Sequence, residues 1–188
     1  GAYQTGEWFE LDHSAYAFAL ETGYQFNELP WTPWLRAGFN YGSGDDDAAD
    51  GDHGTFHQML PTARLYSPSI LYNLMNTEDA FISLILKPDF LWTVKTEFHS
   101  LKLSEKTDRW YLGSGAMHDN IADDFAARAS NGQSELGQLL DATVTWNVHP
   151  DVTVTAYYGH FFGDDVVKRF FSKERNSKMA FVECTIHF

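Results

Sequence analysis

The feature that most constrains this chain is the alternation of apolar and polar residues at every second position, repeated in runs of about ten residues. Period two belongs to strands, because successive side chains leave a strand on opposite faces. Tyr16, Phe18, Leu20, Thr22 and Tyr24 form an aromatic and apolar face, opposed by Ala17, Ala19, Glu21, Gly23 and Gln25. Leu35, Ala37, Phe39 and Tyr41 likewise oppose Arg36, Gly38 and Asn40, and Ile82, Leu84 and Leu86 share one side of a run over 80–88. Trp92, Val94, Thr96 and Phe98 oppose Thr93, Lys95, Glu97 and His99. Leu140, Ala142, Val144, Trp146 and Val148 oppose Asp141, Thr143, Thr145 and Asn147. The last two runs set Val152, Val154, Ala156 and Tyr158, then Ala180, Val182, Cys184, Ile186 and Phe188, against more polar neighbours. Seven strands are thus predicted, and their mid-strand charges (Glu21, Arg36, Lys95, Glu97, Asp141, Glu183) all fall on the polar side. Runs of about ten residues suit a tilted strand crossing a bilayer and exceed the usual five or six of soluble sheets.

The connections alternate in length. Three are short, around Asn27 to Pro33, Lys87-Pro88-Asp89 and His149-Pro150-Asp151, and three are long, over 43–79, 104–135 and 163–178. Transmembrane barrels share this asymmetry, with short periplasmic turns and long extracellular loops. The three long segments and residues 1–13 hold −10 of the formal −13 charge, so the acidity belongs to connections and not to strands. Trp31, Trp34, Trp92 and Trp146 lie at or beside the short turns, where an interfacial aromatic girdle is expected. A soluble antiparallel sandwich also alternates its faces. Against that alternative stands the C-terminus: the chain stops on Phe188 with Ile186 two residues before it, and this ending resembles the C-terminal sorting signal of Gram-negative outer-membrane barrels.

Composition removes other classes. With 26 acids against 13 bases the chain is no general nucleic-acid binder, which needs clustered Lys and Arg to neutralise phosphates. No uncharged apolar run approaches the ~18 residues of a spanning helix. The single Cys184 offers neither an internal disulfide nor a CxxC pair. The chain begins at Gly1 without Met or an apolar leader, which predicts a removed signal or a piece of a longer protein.

The segments Trp34-Leu-Arg-Ala-Gly-Phe, Gly44-Asp-Asp-Asp-Ala-Ala-Asp-Gly-Asp-His-Gly-Thr-Phe, Gln58-Met-Leu-Pro-Thr-Ala-Arg-Leu-Tyr, Tyr72-Asn-Leu-Met-Asn and Thr155-Ala-Tyr-Tyr-Gly-His resemble the alginate-export family of outer-membrane proteins. The resemblance implies a barrel of well over a dozen strands through which an anionic polysaccharide leaves the periplasm. The expected fold class is therefore all-β: an antiparallel transmembrane β-barrel, of which residues 1–188 form the C-terminal part, about seven strands in a single domain. Seven is odd and below the eight of the smallest single-chain barrels, so further strands are expected before Gly1.

The candidate pore-lining residues are Arg36, Asn40, Lys95, Glu97, His99, Asp141, Thr143 and Asn147, with Arg64 and Arg128 as loop candidates. A pore for a polyuronate calls for Arg and Lys, yet Arg36 and Lys95 face Glu21, Glu97, Asp141 and Glu183. Bases on other strands, or Arg64 and Arg128 if their loops fold inward, would redress that balance. The acidic run Asp45, Asp46, Asp47, Asp50, Asp52 fails the EF-hand frame, which would put Ala48 at its third position and His57 at its twelfth. A looser extracellular Ca²⁺ site on Asp45, Asp46, Asp50 and Asp52 stays a candidate beside the plain reading of a solvated acidic loop. His53 and His57 have zinc-like spacing but no HExxH glutamate, so they read as structural, and no GxSxG elbow occurs. The stretch Pro61 to Pro68, inside a loop longer than a connection needs, is read either as folding into the barrel mouth or as a cap packed on Leu60, Leu65, Leu71 and Leu74.

The expected function is a non-enzymatic outer-membrane channel without a cofactor, passing an anionic polysaccharide or small polar solute. Its expected partners are outer-membrane lipid and the barrel assembly machinery, the latter through the C-terminal strand. Two alternatives stay open: an outer-membrane enzyme with its site at the extracellular rim, and a plugged structural or adhesive barrel.

Overall fold

The computed structural model describes residues 1–58, 67–69, 71–112 and 127–188. Its elements are β1 (Ala2–Trp8), β2 (Leu11–Gln25), β3 (Trp34–Gly42), β4 (Asp52–His53), β5 (Thr77–Leu86), β6 (Trp92–Lys102), β7 (Arg109–Tyr111), β8 (Ala127–Ala129), β9 (Glu135–His149), β10 (Val152–Gly163), α1 (Asp165–Phe170) and β11 (Asn176–Ile186). The main sheet runs β1-β2-β3-β5-β6-β9-β10-β11, every neighbour antiparallel, with β4 beside β2. It is a chain of hairpins, and it does not close: β1 and β11 are its two edges.

All seven expected strands are present. The eighth, β1, joins β2 through the two residues Phe9 and Glu10, with Phe9 at φ 57°. It escapes a reading by alternation because Gln4 and Gly6 interrupt one face, and because toward the turn the other face is polar in both strands, Thr5 with Ser14 and Glu7 with Asp12. No helix among the described residues is long and apolar enough to cross a membrane.

Register puts the predicted faces where the sequence pattern expects them. One row across the sheet reads Ile82, Phe98, Leu140, and the next reads Leu84, Thr96, Ala142, Tyr158, Ala180. On this face Ile82 is 49% exposed, Leu20 64% and Val182 75%, so large apolar side chains stand in the open without a protein partner. At its short-turn end Trp92 and Trp146 are paired in register and stacked at 5.1 Å. Near its other end Lys102 and Glu78 form an ion pair at 2.8 Å. An apolar band closed at one end by tryptophans and at the other by charges is the profile of a sheet that meets lipid. Trp34 departs from the expected girdle: its ring lies 5.0 Å from the Arg36 guanidinium and shares the polar face with it.

The opposite face changes character along its length. Toward the long-loop end Leu101, Leu103, Leu136, Leu139 and Phe161 are buried together with Tyr72, Trp110, Val166 and Val167. Leu101, Leu139 and Phe161 occupy the same alternating positions that carry charge nearer the middle of the sheet, and Leu136 joins them through the register shift beside Leu101. Here the long connections lie against the sheet: Val166 and Val167 of α1 and Trp110 of β7 cover what would otherwise be a second exposed apolar surface. Contact is closest at Gly42, where a Cβ would overlap the backbone carbonyl of Leu74, so only glycine lets the loop before β5 lie flat on β3.

Candidate functional site

The polar face of the sheet is the candidate site, built from single inward residues of successive strands. Nearest the short turns, Arg36 of β3 donates from Nε to Glu21 of β2 at 2.7 Å. Both side chains retain solvent contact, so this pair holds charge in place more than it adds stability. One strand pair further, Lys95 meets Glu97 at 2.5 Å, with Glu97 buried. Removing a lysine that compensates a buried carboxylate typically costs about 3–5 kcal/mol.

Further along the same face the groups are covered. Asp79 of β5 accepts from Asn40 Nδ2 at 3.0 Å and from the Tyr72 hydroxyl at 2.9 Å, and its other oxygen lies 2.9 Å from His99 Nδ1. Asp141 of β9 accepts from both the Tyr157 and the Ser67 hydroxyls. Tyr72 and Ser67 belong to the connection between β3 and β5, so two strand carboxylates anchor that loop on the polar face. Asn76, at φ 50°, completes the attachment by donating to the carbonyls of Glu105 and Arg109 at 3.0 Å.

The structure therefore divides the eight candidate lining residues. Arg36, Lys95, Thr143 and Asn147 keep solvent contact, and Asn40, Glu97, His99 and Asp141 are buried. Asn147 accepts from the Thr153 hydroxyl at 3.2 Å. Arg128 sits on β8, away from this row, with its guanidinium 5.8 Å from the Phe170 ring. Arg64 lies outside the described residues, as do Leu60 and Leu65. At the C-terminus Ile186 pairs with Val152 on the edge strand, and Phe188 is fully exposed. Asp79, Tyr72, Ser67 and Tyr157 are the participants that sequence reading missed. Tyr157 had the right parity, and Asp79 was assigned to a loop although it is the third residue of β5.

The acidic run is a succession of turns. Carboxylates of Asp45, Asp47 and Asp50 each accept the backbone N–H two residues on, at 3.2, 3.1 and 2.8 Å, which is the local bonding that suits Asp to turns. Asp45 is buried, while Asp46, Asp50 and Asp52 are exposed. Burial, with the nearby charge of Asp108 second, raises the Asp45 carboxyl above its usual range. Asp108 itself ties two long connections together, accepting from Thr55 Oγ1 at 2.6 Å and the Tyr111 hydroxyl at 3.0 Å. Among the described residues no three His, Cys, Asp or Glu side chains are grouped to hold a metal ion.

His53 and His57 join His13 around the Trp8 indole. His13 and His53 face each other Nδ1 to Nδ1 at 2.9 Å, and Trp8 stacks on His53 at 4.8 Å and lies 5.0 Å from His57. Burial, and then repulsion from His13, lowers His53 to about 4, and the same causes lower His57. In the unfolded chain these imidazoles titrate near 6.5. Their contribution to stability is therefore complete above about 6.5 and is lost as pH falls toward 4. Hydrogen-exchange protection of residues 52–57 should accordingly be weaker at pH 4.5 than at pH 7, and His53→Gln should flatten the dependence. Equal protection at both pH values would show that these imidazoles do not control the segment.

No curated protein matches the chain. The family model described as alginate export matches residues 1–182, which run from β1 into β11. It is a transport family associated with polysaccharide export across the outer membrane, and not a family of enzymes. An all-β antiparallel sheet, and a match over nearly its whole length, place this chain in the alginate-export family.

Proposed function

We propose that the chain supplies the C-terminal strands of an outer-membrane channel through which an alginate-like polysaccharide, or another polar solute, leaves the periplasm. The observation that carries this reading is the division of one sheet into a face whose middle is apolar, exposed and free of charge between Trp146 and Lys102, and a face of paired charges. Lipid covers the first and the solute passes along the second. Strands beyond β1 and β11 close the barrel, since an unpaired strand edge in hydrocarbon leaves its backbone groups without partners. β11 is the strand offered to the assembly machinery.

Passage is diffusive. Arg36, Lys95, Thr143 and Asn147, with Glu21, give the solute a hydrated wall of alternating charge, and each base already paired to an acid keeps a polyanion from being held too tightly. Toward the long-loop end Ser67 and residues 71–76 narrow the path, anchored on Asp141 and Asp79. The long connections face the exterior and the short turns the periplasm.

Two measurements test this. The full-length protein in planar bilayers should conduct ions, and absence of conductance would favour a plugged barrel. Epitope tags inserted at Asp50, Ser130 and Ser172 should be reached by antibody on intact cells, and one at Asp151 should not. Labelling of the Asp151 tag from outside would reverse the topology.

A further inference from the structure

Trp34 is the tryptophan that the girdle does not absorb. Trp92 and Trp146 stack on each other on the apolar face, whereas Trp34 shares the polar face with Arg36 and stays 38% exposed there. Lipid does not reach that side of the sheet, and the core at the long-loop end does not include Trp34. Its neighbours in register are Gln25 of β2 and Ile85 of β5, close to the short turns. A single exposed apolar side chain means little by itself. This one is held in a setting built around it.

Gly23 of β2 makes the room. A Cβ there would come within 2.9 Å of both Trp34 Nε1 and Arg36 Cγ, so the indole and the stem of Arg36 lie across bare backbone. The guanidinium stands 5.0 Å from the centre of the Trp34 ring, a cation–π contact. Glu21 fixes it there, accepting from Nε at 2.7 Å and from Nη2 at 2.5 Å. Two parallel charge-assisted bonds give this pair one geometry. The Glu21 side chain nevertheless keeps 42% of its surface exposed, and Gln25 is exposed beside Trp34. The result is a flat apolar ring flanked by a guanidinium, a carboxylate and an amide, with the two charges cancelling.

That combination suits a pyranose ring, which presents a face of C–H groups to an aromatic platform and a rim of hydroxyls that both donate and accept. A paired Arg and Glu supplies donors and acceptors without net charge, so it answers to hydroxyls and not to the sign of the solute. We propose that Trp34, Arg36, Glu21 and Gln25 form a sugar-binding subsite on the polar face, Trp34 stacking on one pyranose ring while the other three hold its hydroxyls. This rests on the reading of that face as the wall of a saccharide path, and the sidedness given above puts the subsite at the periplasmic entrance. The subsite takes neutral and uronic sugars alike. Binding in detergent micelles does not require conduction, so a channel that fails in bilayers and a subsite that fails in micelles are separate results.

The test uses the full-length protein labelled with fluorotryptophan, in a detergent without a sugar headgroup, titrated with a neutral glucose hexasaccharide and separately with a uronate hexasaccharide while its fluorine spectrum is recorded. The resonance that Trp34→Phe removes should shift with both saccharides, and those of Trp92 and Trp146 should stay in place. In unlabelled protein, with binding followed by saturation transfer to the sugar C–H protons, Trp34→Leu should bind both saccharides at least about tenfold more weakly, and Trp34→Phe should stay within about threefold of the wild type. If Trp34→Leu does not assemble, the labelled wild type decides alone. A Trp34 resonance that neither saccharide moves, undiminished binding by the assembled Trp34→Leu variant, or binding confined to the uronate would overturn the proposal.

Discussion

The Ala142→Arg variant of the full-length protein should yield almost no folded barrel, while Thr143→Arg, one residue away, should assemble normally. Ala142 lies on the apolar face, between Thr96 and Tyr158 in register and midway along β9 between Trp146 and Gln138. A basic side chain on the lipid face near mid-membrane costs about 2–4 kcal/mol, which shifts the folded population by one to three orders of magnitude. Thr143 points to the polar face beside Tyr157 and Lys95, where water solvates an added charge. Heat-modifiable mobility of outer-membrane fractions measures the yield. Equal yields of the two variants would mean that the faces are misassigned.

The second large effect concerns selectivity. In the double variant Arg36→Gln, Lys95→Gln the lumen loses two positive charges, and Glu21 and Glu97 lose their partners. Two unit charges about 8 Å apart at an effective dielectric of 20 interact by about 2 kcal/mol, so the lost bases lower anion occupancy by roughly tenfold or more before salt screening. Reversal potential in a salt gradient should move toward cation preference, and passage of an anionic oligosaccharide should slow. The yield of folded protein must be followed alongside, because Glu97 is buried and the cost of leaving it unpaired falls on assembly. An unchanged reversal potential in a variant that folds would remove Arg36 and Lys95 from the conduction path.

The strands and their faces were legible in the sequence because period two is a local signal: Ile82 and Leu84 or Asp141 and Thr143 declare their side without knowledge of any neighbour. Strand order was legible for the same reason, since each long strand pairs with the next long strand in the chain. What stayed hidden depends on contacts across large separations. Ser67 reaches Asp141 over 74 residues and Thr55 reaches Asp108 over 53, and no spacing rule connects them. The inward Leu101, Leu103 and Leu139 follow the strand pattern but occupy the face that carries charge lower down, and Leu136 joins them only through a register shift. Alternation identifies a face and does not say what covers it. His13 joined His53 and His57 only through the fold, since it lies on β2 and they lie in the connection after β3. β1 was missed because one of its faces turns polar toward the hairpin end and the other is broken by Gln4 and Gly6.

The most direct test of the central claim is cysteine accessibility along β9 in the full-length protein with Cys184→Ser, since Cys184 is exposed. Single cysteines at Ala142, Thr143, Val144, Thr145, Trp146 and Asn147 would be exposed in turn to a membrane-impermeant thiol reagent, and their fluorescent adducts to brominated lipid. Cysteines at 143, 145 and 147 should react from water and escape lipid quenching, while those at 142, 144 and 146 should resist the reagent and be quenched by lipid. Uniform accessibility along the strand, or the reverse alternation, would contradict a membrane barrel whose polar face lines its lumen.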